Sequence, residues 1–174
     1  MWSRNSIAKI FPTLLLTLSF AFVDWHQEAS AAETQFVLTV RGAEGRESRM
    51  GMAEIAKLPR VSVRAKDEKG KDAVWEGTTL HEVLRAAGVN FGEAIRGAAL
   101  ANYLLVEAAD GYRVVFALPE VDPAFTDLTF LLADRRDGQP MDENEGKLRI
   151  VVPHEKRHAR WVRRVVSLTV QRAR

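Results

Sequence analysis

Apolar residues alternate with less apolar ones in several short runs, and this pattern predicts that most of the chain is β-strand. Asp110–Gly111 and Asp137–Gly138 favour tight turns between such runs. Gly70 supplies an unusual backbone angle within the charged hairpin loop 66–72, and residues 42–48 are predicted to form a polar turn. The predicted strands cover residues 36–40, 61–65, 73–76, 103–108, 112–118, 128–133, 148–152 and 165–170.

Two segments have helical spacing instead. The first, residues 52–58, ends before a proline, which disfavours helix in the residue that precedes it. The second, residues 80–87, has an apolar stripe that we assign to the core. Thr79 and Glu82 have the spacing of a capping box at its start, and Gly88 is placed to end it. Strands with two or three short helices predict one compact, mostly-β domain of the α+β class.

The N-terminal segment has the organisation of a secretory signal peptide. Arg4 and Lys9 precede a short apolar run at 10–23, and Ala29-Ser30-Ala31 offers the small residues that a signal peptidase reads. The run is shorter than the ~20 residues that a membrane-spanning helix needs. We predict cleavage after residue 31, with cleavage after Ala32 as the close alternative.

Removal of residues 1–31 leaves a domain at 32–174, with no repeat or linker to divide it. We predict that it is periplasmic or secreted, with no stable membrane span after cleavage. The chain contains no cysteine. Disulfides and cysteine-ligated zinc, iron–sulfur or c-type haem sites are therefore excluded.

Charge is unevenly distributed although the net charge is only +2. Acidic residues dominate from 107 to 145, and basic residues dominate from 147 to 174. These charges either balance across the folded surface or form a basic patch that attracts an anionic small molecule or a periplasmic protein partner. Nucleic acid is disfavoured because no aromatic ladder accompanies the basic residues.

Familiar catalytic motifs are missing from the sequence. It has no Gly-x-Ser-x-Gly nucleophile elbow and no glycine-rich phosphate loop. We interpret Asp142, Glu143 and Glu145 as solvated turn residues, and Trp75, Tyr112 and Trp161 as aromatic residues of the core or of a pocket wall. We therefore predict no catalytic residues.

Several short motifs, in this order, resemble the sulfite-oxidase-type molybdopterin-binding domain family. A Trp-x-Gly-x-x-Leu run precedes the second helix, and the resemblance extends over roughly residues 36–170. It is tightest after residue 110. The motifs there are Asp110-Gly111-Tyr112, Leu131-Leu132-Ala133, Asp137-Gly138-Gln139-Pro140, Leu148-Arg149-Ile150-Val151-Val152-Pro153 and Arg160-Trp161-Val162.

The resemblance implies a molybdopterin cofactor, whose molybdenum is held in active members by a cysteine thiolate near the strand before the second helix. Residues 61–65 occupy that region here and contain no thiolate. The resemblance also implies export of a folded, loaded enzyme by a twin-arginine signal, whereas Ser3-Arg4-Asn5 has a single arginine. Molybdopterin stays possible by resemblance, but we expect no cofactor.

The resemblance implies that residues 153–161 correspond to a loop that lies beside the pterin and its phosphate in the family. Arginine, lysine and histidine donors there suit an anion, although the glycines of the family's loop are missing. A metal site at the four-residue spacing of His154 and His158 is disfavoured by the surrounding cations. The candidate ligand-binding residues are Arg149, His154, Lys156, Arg157, His158, Arg160 and Trp161.

Two hypotheses follow. The favoured one is an exported protein of this fold that lacks molybdenum catalysis and acts as a ligand-binding or accessory module. The alternative is a molybdopterin-dependent oxidoreductase or electron-transfer component that holds its cofactor without cysteine. Enzymatic activity is not assigned, because function depends on the site and not on the fold.

Overall fold

Two β-sheets and two short α-helices make up the part of the chain, residues 36–173, that this computed structural model describes. Short 3-10 segments at Gly92–Ala94, Gly97–Ala101, Leu118–Val121 and His158–Arg160 join them. The elements are β1 Phe36–Arg41, β2 Glu47–Gly51, α1 Met52–Ala56, β3 Val61–Lys66, β4 Asp72–Thr79, α2 Leu80–Ala86, β5 Tyr103–Ala108, β6 Arg113–Ala117, β7 Leu131–Arg136, β8 Gln139–Pro140, β9 Arg149–Val151 and β10 Val165–Gln171.

The first sheet has the strand order β2-β1-β10-β5-β6. Its central pair, β1 and β10, is parallel, with Thr39 opposite Ser167, and its other pairs are antiparallel. The second sheet has the order β3-β4-β7-β8, and β9 also pairs with β7. Strands distant in sequence thus meet in both sheets.

Alternation along the strands sends every second side chain into a shared core. Leu104, Val106 and Ala108 of β5 are buried, as are Leu168 and Val170 of β10. Strand β9, by contrast, is buried at all three positions: it pairs with β7 on one side, and on the other the backbone N–H of Ile150 donates to the Val162 carbonyl at 2.8 Å. The predicted mostly-β α+β domain is confirmed.

The predicted start and end of α2 are largely confirmed. The Thr79 hydroxyl accepts a hydrogen bond from the backbone N–H of Glu82 at 3.2 Å. The Glu82 carboxylate does not complete the box, since it pairs with Arg85 at 2.7 Å. Gly88 follows the helix with φ +86°, the left-handed conformation expected of a C-terminal cap.

Several predicted boundaries were wrong, among them the end of the strand predicted at 73–76, which runs to Thr79. Strand β2 begins inside the predicted turn 42–48, because its charged residues pair with one another at the sheet edge. Strand β7 runs from Leu131 to Arg136 and not from 128 to 133, since its two arginines remain paired with β4. Helix α1 ends at Ala56, and Leu58 lies beyond it in a turn.

Gly77 lets β4 and β7 approach each other closely. A Cβ atom at Gly77 would lie 2.0 Å from the carbonyl oxygen of Leu132, which no side chain tolerates. This contact fixes the position of Trp75, two residues earlier on β4, against the core.

The predicted signal peptide lies outside the described residues. Among residues 36–173, no helix is long and apolar enough to cross a membrane.

Candidate functional site

Arg149 of β9 is the most deeply buried charged group in the described part of the chain, with a side-chain exposure of 0%. Its guanidinium carbon lies 4.9 Å from the ring centroid of Trp75 and 5.7 Å from that of Trp161. The two indoles meet edge to face with centroids 5.9 Å apart. We call these three residues the tryptophan–arginine stack. Aromatic faces favour a cation electrostatically, but they do not replace its lost hydration.

Two carboxylates provide the counter-charge. Glu68, from the β3–β4 loop, and Glu145, from the loop before β9, each accept a hydrogen bond from a terminal nitrogen of Arg149. Glu145 is 12% exposed and Glu68 is 41% exposed. Burial raises the pKa of Glu68, but its own backbone N–H and Arg149 outweigh that effect and lower it overall. The protein therefore neutralises Arg149 from within.

A second buried ion pair lies next to the stack. Arg136 of β7 donates to Asp67 at 2.6 Å, and its guanidinium also lies 4.9 Å from the ring centroid of Trp75. The Asp67 carboxylate accepts further hydrogen bonds from the backbone N–H groups of Lys69 and Lys71, both at 2.9 Å. The hydrogen bond from Arg136, followed by that from Lys71, lowers the pKa of Asp67 to about 2. The β3–β4 loop is thus held closed over the stack.

The end of β3 meets part of the loop formed by residues 153–161, which we call the basic loop, at this stack. The indole N–H of Trp75 donates to the Ala65 carbonyl at 3.4 Å. Nε2 of His158 lies 2.9 Å from the Lys66 carbonyl oxygen, and the His158 ring packs edge to face on Trp161 at 4.2 Å. Of the predicted ligand-binding residues, Arg149, His158 and Trp161 therefore lie together.

Arg160 and His154 contact different neighbours. Arg160 donates to Glu155 at 2.6 Å and to the Val115 carbonyl at 3.2 Å, and lies over the ring of Phe116 at 4.4 Å. His154 packs against Phe130 at 5.2 Å.

Lys156 and Arg157 are both exposed, and neither makes an ion pair or a side-chain hydrogen bond with the described residues. The structure therefore divides the predicted cluster into residues whose side chains contact the rest of the protein, of which Arg149 and Trp161 are buried, and two solvent-facing cations.

Sequence reasoning missed the acidic partners of the stack. Glu145 was predicted to be a solvated turn residue, yet it is largely buried on Arg149. Its spacing of four residues from Arg149 was a usable signal, whereas nothing local in the sequence connects Arg149 with Glu68. Trp75 and Trp161 are buried as predicted, but Tyr112 is half exposed and donates its hydroxyl to the Ala159 carbonyl at 2.7 Å.

Fold and site together define an α+β domain of two sheets in which an arginine between two tryptophans is sealed by carboxylates. The chain belongs to the oxidoreductase molybdopterin binding domain family, which matches residues 26–174. Its fold is similar to that of the sulfane dehydrogenase SoxCD from Paracoccus pantotrophus, with a TM-score of 0.60 and 18% identity. That likeness covers 78% of this chain but only 38% of the SoxCD chain. Curated proteins gave no significant match.

The donors present do not fit a molybdenum cofactor of the kind the family implies. The half-buried positions of β3, Val61, Val63 and Ala65, carry no ligating atom in their side chains. Within residues 36–173, no group of three histidines, cysteines, aspartates or glutamates could hold a metal ion. Both terminal nitrogens of Arg149 are bound to carboxylates, and its buried Nε has no hydrogen-bond partner. An anion at Arg149 would have to compete with Glu68 and Glu145.

Proposed function

We propose that this protein is an exported, molybdenum-free member of its family that acts as a ligand-binding or accessory module and not as an oxidoreductase. The observation that carries the proposal is the internal neutralisation of Arg149 by Glu68 and Glu145, next to a β3 strand that has no thiolate.

Two physical arguments support it. Molybdenum is bound in active relatives by a soft thiolate ligand, and the side chains of β3 offer no substitute. A bound anion needs free donors, whereas the buried donors beside the stack already have carboxylate partners. Displacing Glu145, which is only 12% exposed, would leave a largely buried carboxylate unpaired, which is strongly unfavourable.

The exposed part of the basic loop supports the accessory role. Lys156 and Arg157 face solvent, and exposed cations of this kind attract an anionic molecule or an acidic protein surface at long range. We propose this loop as the contact surface for such a partner. Because charged groups in solvent are screened by salt, the interaction should weaken as the ionic strength rises.

Metal and pterin analysis tests the proposal. The protein should be purified from cells that make molybdopterin and assayed for molybdenum by mass spectrometry and for released pterin by fluorescence. A cysteine-containing member of the same family, produced in the same cells, is the matched control. We expect background levels of both in this protein and a full load in the control. Stoichiometric molybdenum and pterin would establish the alternative, a cofactor held without cysteine.

A titration tests the loop. Lys156→Ala/Arg157→Ala should leave the urea midpoint unchanged, because both side chains are exposed. Arg160 is kept, since its contacts with Glu155 and Phe116 are structural. With phosphate as the probe and Trp161 fluorescence as the signal, we expect the wild-type response to be lost in the double variant. An identical response in both proteins would exclude the loop.

N-terminal sequencing tests export. The protein recovered from the periplasm or the medium should begin at Ala32 or Glu33. An intact Met1 on membrane-bound protein would contradict cleavage.

A further inference from the structure

A cavity of about 560 Å³ lies away from the tryptophan–arginine stack, among the β1–β2 turn, the end of α2 and the end of β10. Its size falls within the range of small-molecule sites, roughly 300–1,000 Å³. None of the residues in the predicted basic cluster lines it. Whether a ligand binds in this cavity is therefore independent of whether the protein binds a cofactor.

The floor of this cavity is apolar. Ala87, Ile95, Leu118 and Val170 line it and belong to the buried core. Alanines of the segment 94–99 extend the same surface toward solvent. Small and branched side chains here leave space that the protein's own residues do not fill. The floor suits the hydrocarbon body of a ligand.

Two arginines stand at the rim. Arg46 comes from the β1–β2 turn and Arg172 follows β10, and the parallel pairing of β1 with β10 brings these two segments together. Both side chains belong to exposed residues, and neither makes an ion pair with the described residues. One carboxylate, Glu44, also lines the cavity without being bonded to either arginine. The cavity thus has an excess of positive charge.

The side chain of Arg46 lies against the end of α2. Its Nη1 atom lies 3.3 Å from the point where a Cβ atom on Gly88 would be. The helix end does not use up the donors of Arg46, because the carbonyl oxygens of Val83, Leu84 and Arg85 already accept from the backbone. The Arg46 guanidinium therefore has N–H donors available, and a guanidinium can donate two parallel hydrogen bonds to the two oxygens of a carboxylate.

We propose that this cavity binds a small organic acid, with its carboxylate at Arg46 and Arg172 and its hydrocarbon body on the apolar floor. Both features are needed. The arginines alone would bind any anion weakly, because they are exposed to water. The floor alone would bind neutral apolar molecules equally well.

Calorimetric titration of the purified protein with octanoate tests the proposal, with octanol and inorganic phosphate as comparison probes. We expect octanoate to bind, and octanol and phosphate to bind at least about tenfold more weakly. Arg46→Ala/Arg172→Ala should weaken octanoate by about ten- to a hundredfold. The matched control, Arg49→Ala/Arg113→Ala, removes two exposed arginines outside the cavity and should change nothing.

A second pair of variants tests the floor without altering charge. Ala98→Trp should fill the cavity and abolish octanoate binding. Leu100→Trp, in the same 3-10 segment Gly97–Ala101 but outside the cavity lining, should not. Failure of octanoate to bind the wild-type protein would overturn the proposal. Equal binding by the arginine double variant, or by Ala98→Trp, would do the same. Phosphate binding as tight as octanoate would reduce the site to a simple anion site and also overturn it.

Discussion

The tryptophan–arginine stack and the cavity beneath Arg46 and Arg172 hold positive charge in opposite ways. At the stack, Arg149 is fully buried and two carboxylates neutralise it. At the cavity, the guanidinium groups are exposed and have no carboxylate partner among the described residues. A buried cation must be paired inside the protein, whereas an exposed cation is hydrated and keeps its donors available to a ligand. This difference separates the stack, where the charge is paired within the protein, from the cavity that we propose as a binding site.

The largest expected change in the free energy of unfolding is at the stack. Arg149→Ala should lower the free energy of unfolding by about 3–5 kcal/mol, because it leaves Glu145 buried without its partner. Arg46→Ala, at the cavity, should change it by less than about 0.5 kcal/mol. Urea unfolding of both variants gives the two values. Similar losses would mean that Arg149 is less isolated from water than its burial indicates.

Gly88, where α2 meets the cavity, should give the next largest effect. Gly88→Ala should lower the free energy of unfolding by about 1–2 kcal/mol, because its φ of +86° disfavours a side chain. Gly111→Ala is the matched control, since Gly111 has φ +83° and open space around it, and does not line the cavity. The Gly88 variant should also displace Arg46 and weaken octanoate binding, while the Gly111 variant should not. Equal binding by both would show that Gly88 does not position Arg46.

The helix that connects the two regions starts at Thr79, on the strand that carries Trp75. Thr79→Ala removes the hydroxyl that accepts from the Glu82 N–H and should lower the free energy of unfolding by about 1 kcal/mol. Ser62→Ala, an exposed change in β3, is the control and should be nearly neutral. The midpoint of urea denaturation measures both. An unchanged midpoint for Thr79→Ala would show that the cap does not stabilise the helix.

The last effect appears only at acidic pH and concerns Asp67, beside the stack. The pKa of Asp67 is lowered from an ordinary value of 3.8 to about 2, chiefly by the hydrogen bond from Arg136. The folded state therefore binds this proton less readily than the unfolded state. The resulting stability is present above pH 4 and is lost as the pH falls toward 2.

Asp67→Asn removes this titration. Its unfolding free energy should fall less steeply between pH 4 and pH 2 than that of the wild-type protein, as urea titrations at several pH values would measure. Octanoate binding at neutral pH should not change. Parallel pH profiles for the two proteins would exclude Asp67 as a source of the acid dependence.

Sequence patterns predicted the fold better than the site. Alternation gives the positions of most strands, because the strand period of two residues is local. It misses β2, where Glu47 pairs with both Arg49 and Arg41, so that charged side chains occupy an edge strand. It also ends β7 too early, since Arg136 remains in the strand through its pairing with Asp67.

The site depends on pairings between distant segments. The sequence names Arg149, His158 and Trp161 among the candidate ligand-binding residues, and the structure brings these three together, but the sequence does not show the carboxylates that pair with Arg149. Glu68 lies in another loop, and no local pattern shows that it reaches Arg149. The cavity is invisible in sequence for the same reason, because the segments that line it meet only after β1 and β10 pair.

The parallel pairing of β1 with β10 has a consequence for how the chain folds. Strand β10 lies between β1 and β5, so each of these strands has only one neighbour, β2 or β6, until one of the last segments of the described chain is available. Contacts between residues so far apart in sequence slow folding, since a long loop must close before they form. Until then the β1 and β5 edges are open to pairing with other chains. Pairing of β10 with β1 and β5 is therefore the step at which folding of the first sheet competes with aggregation.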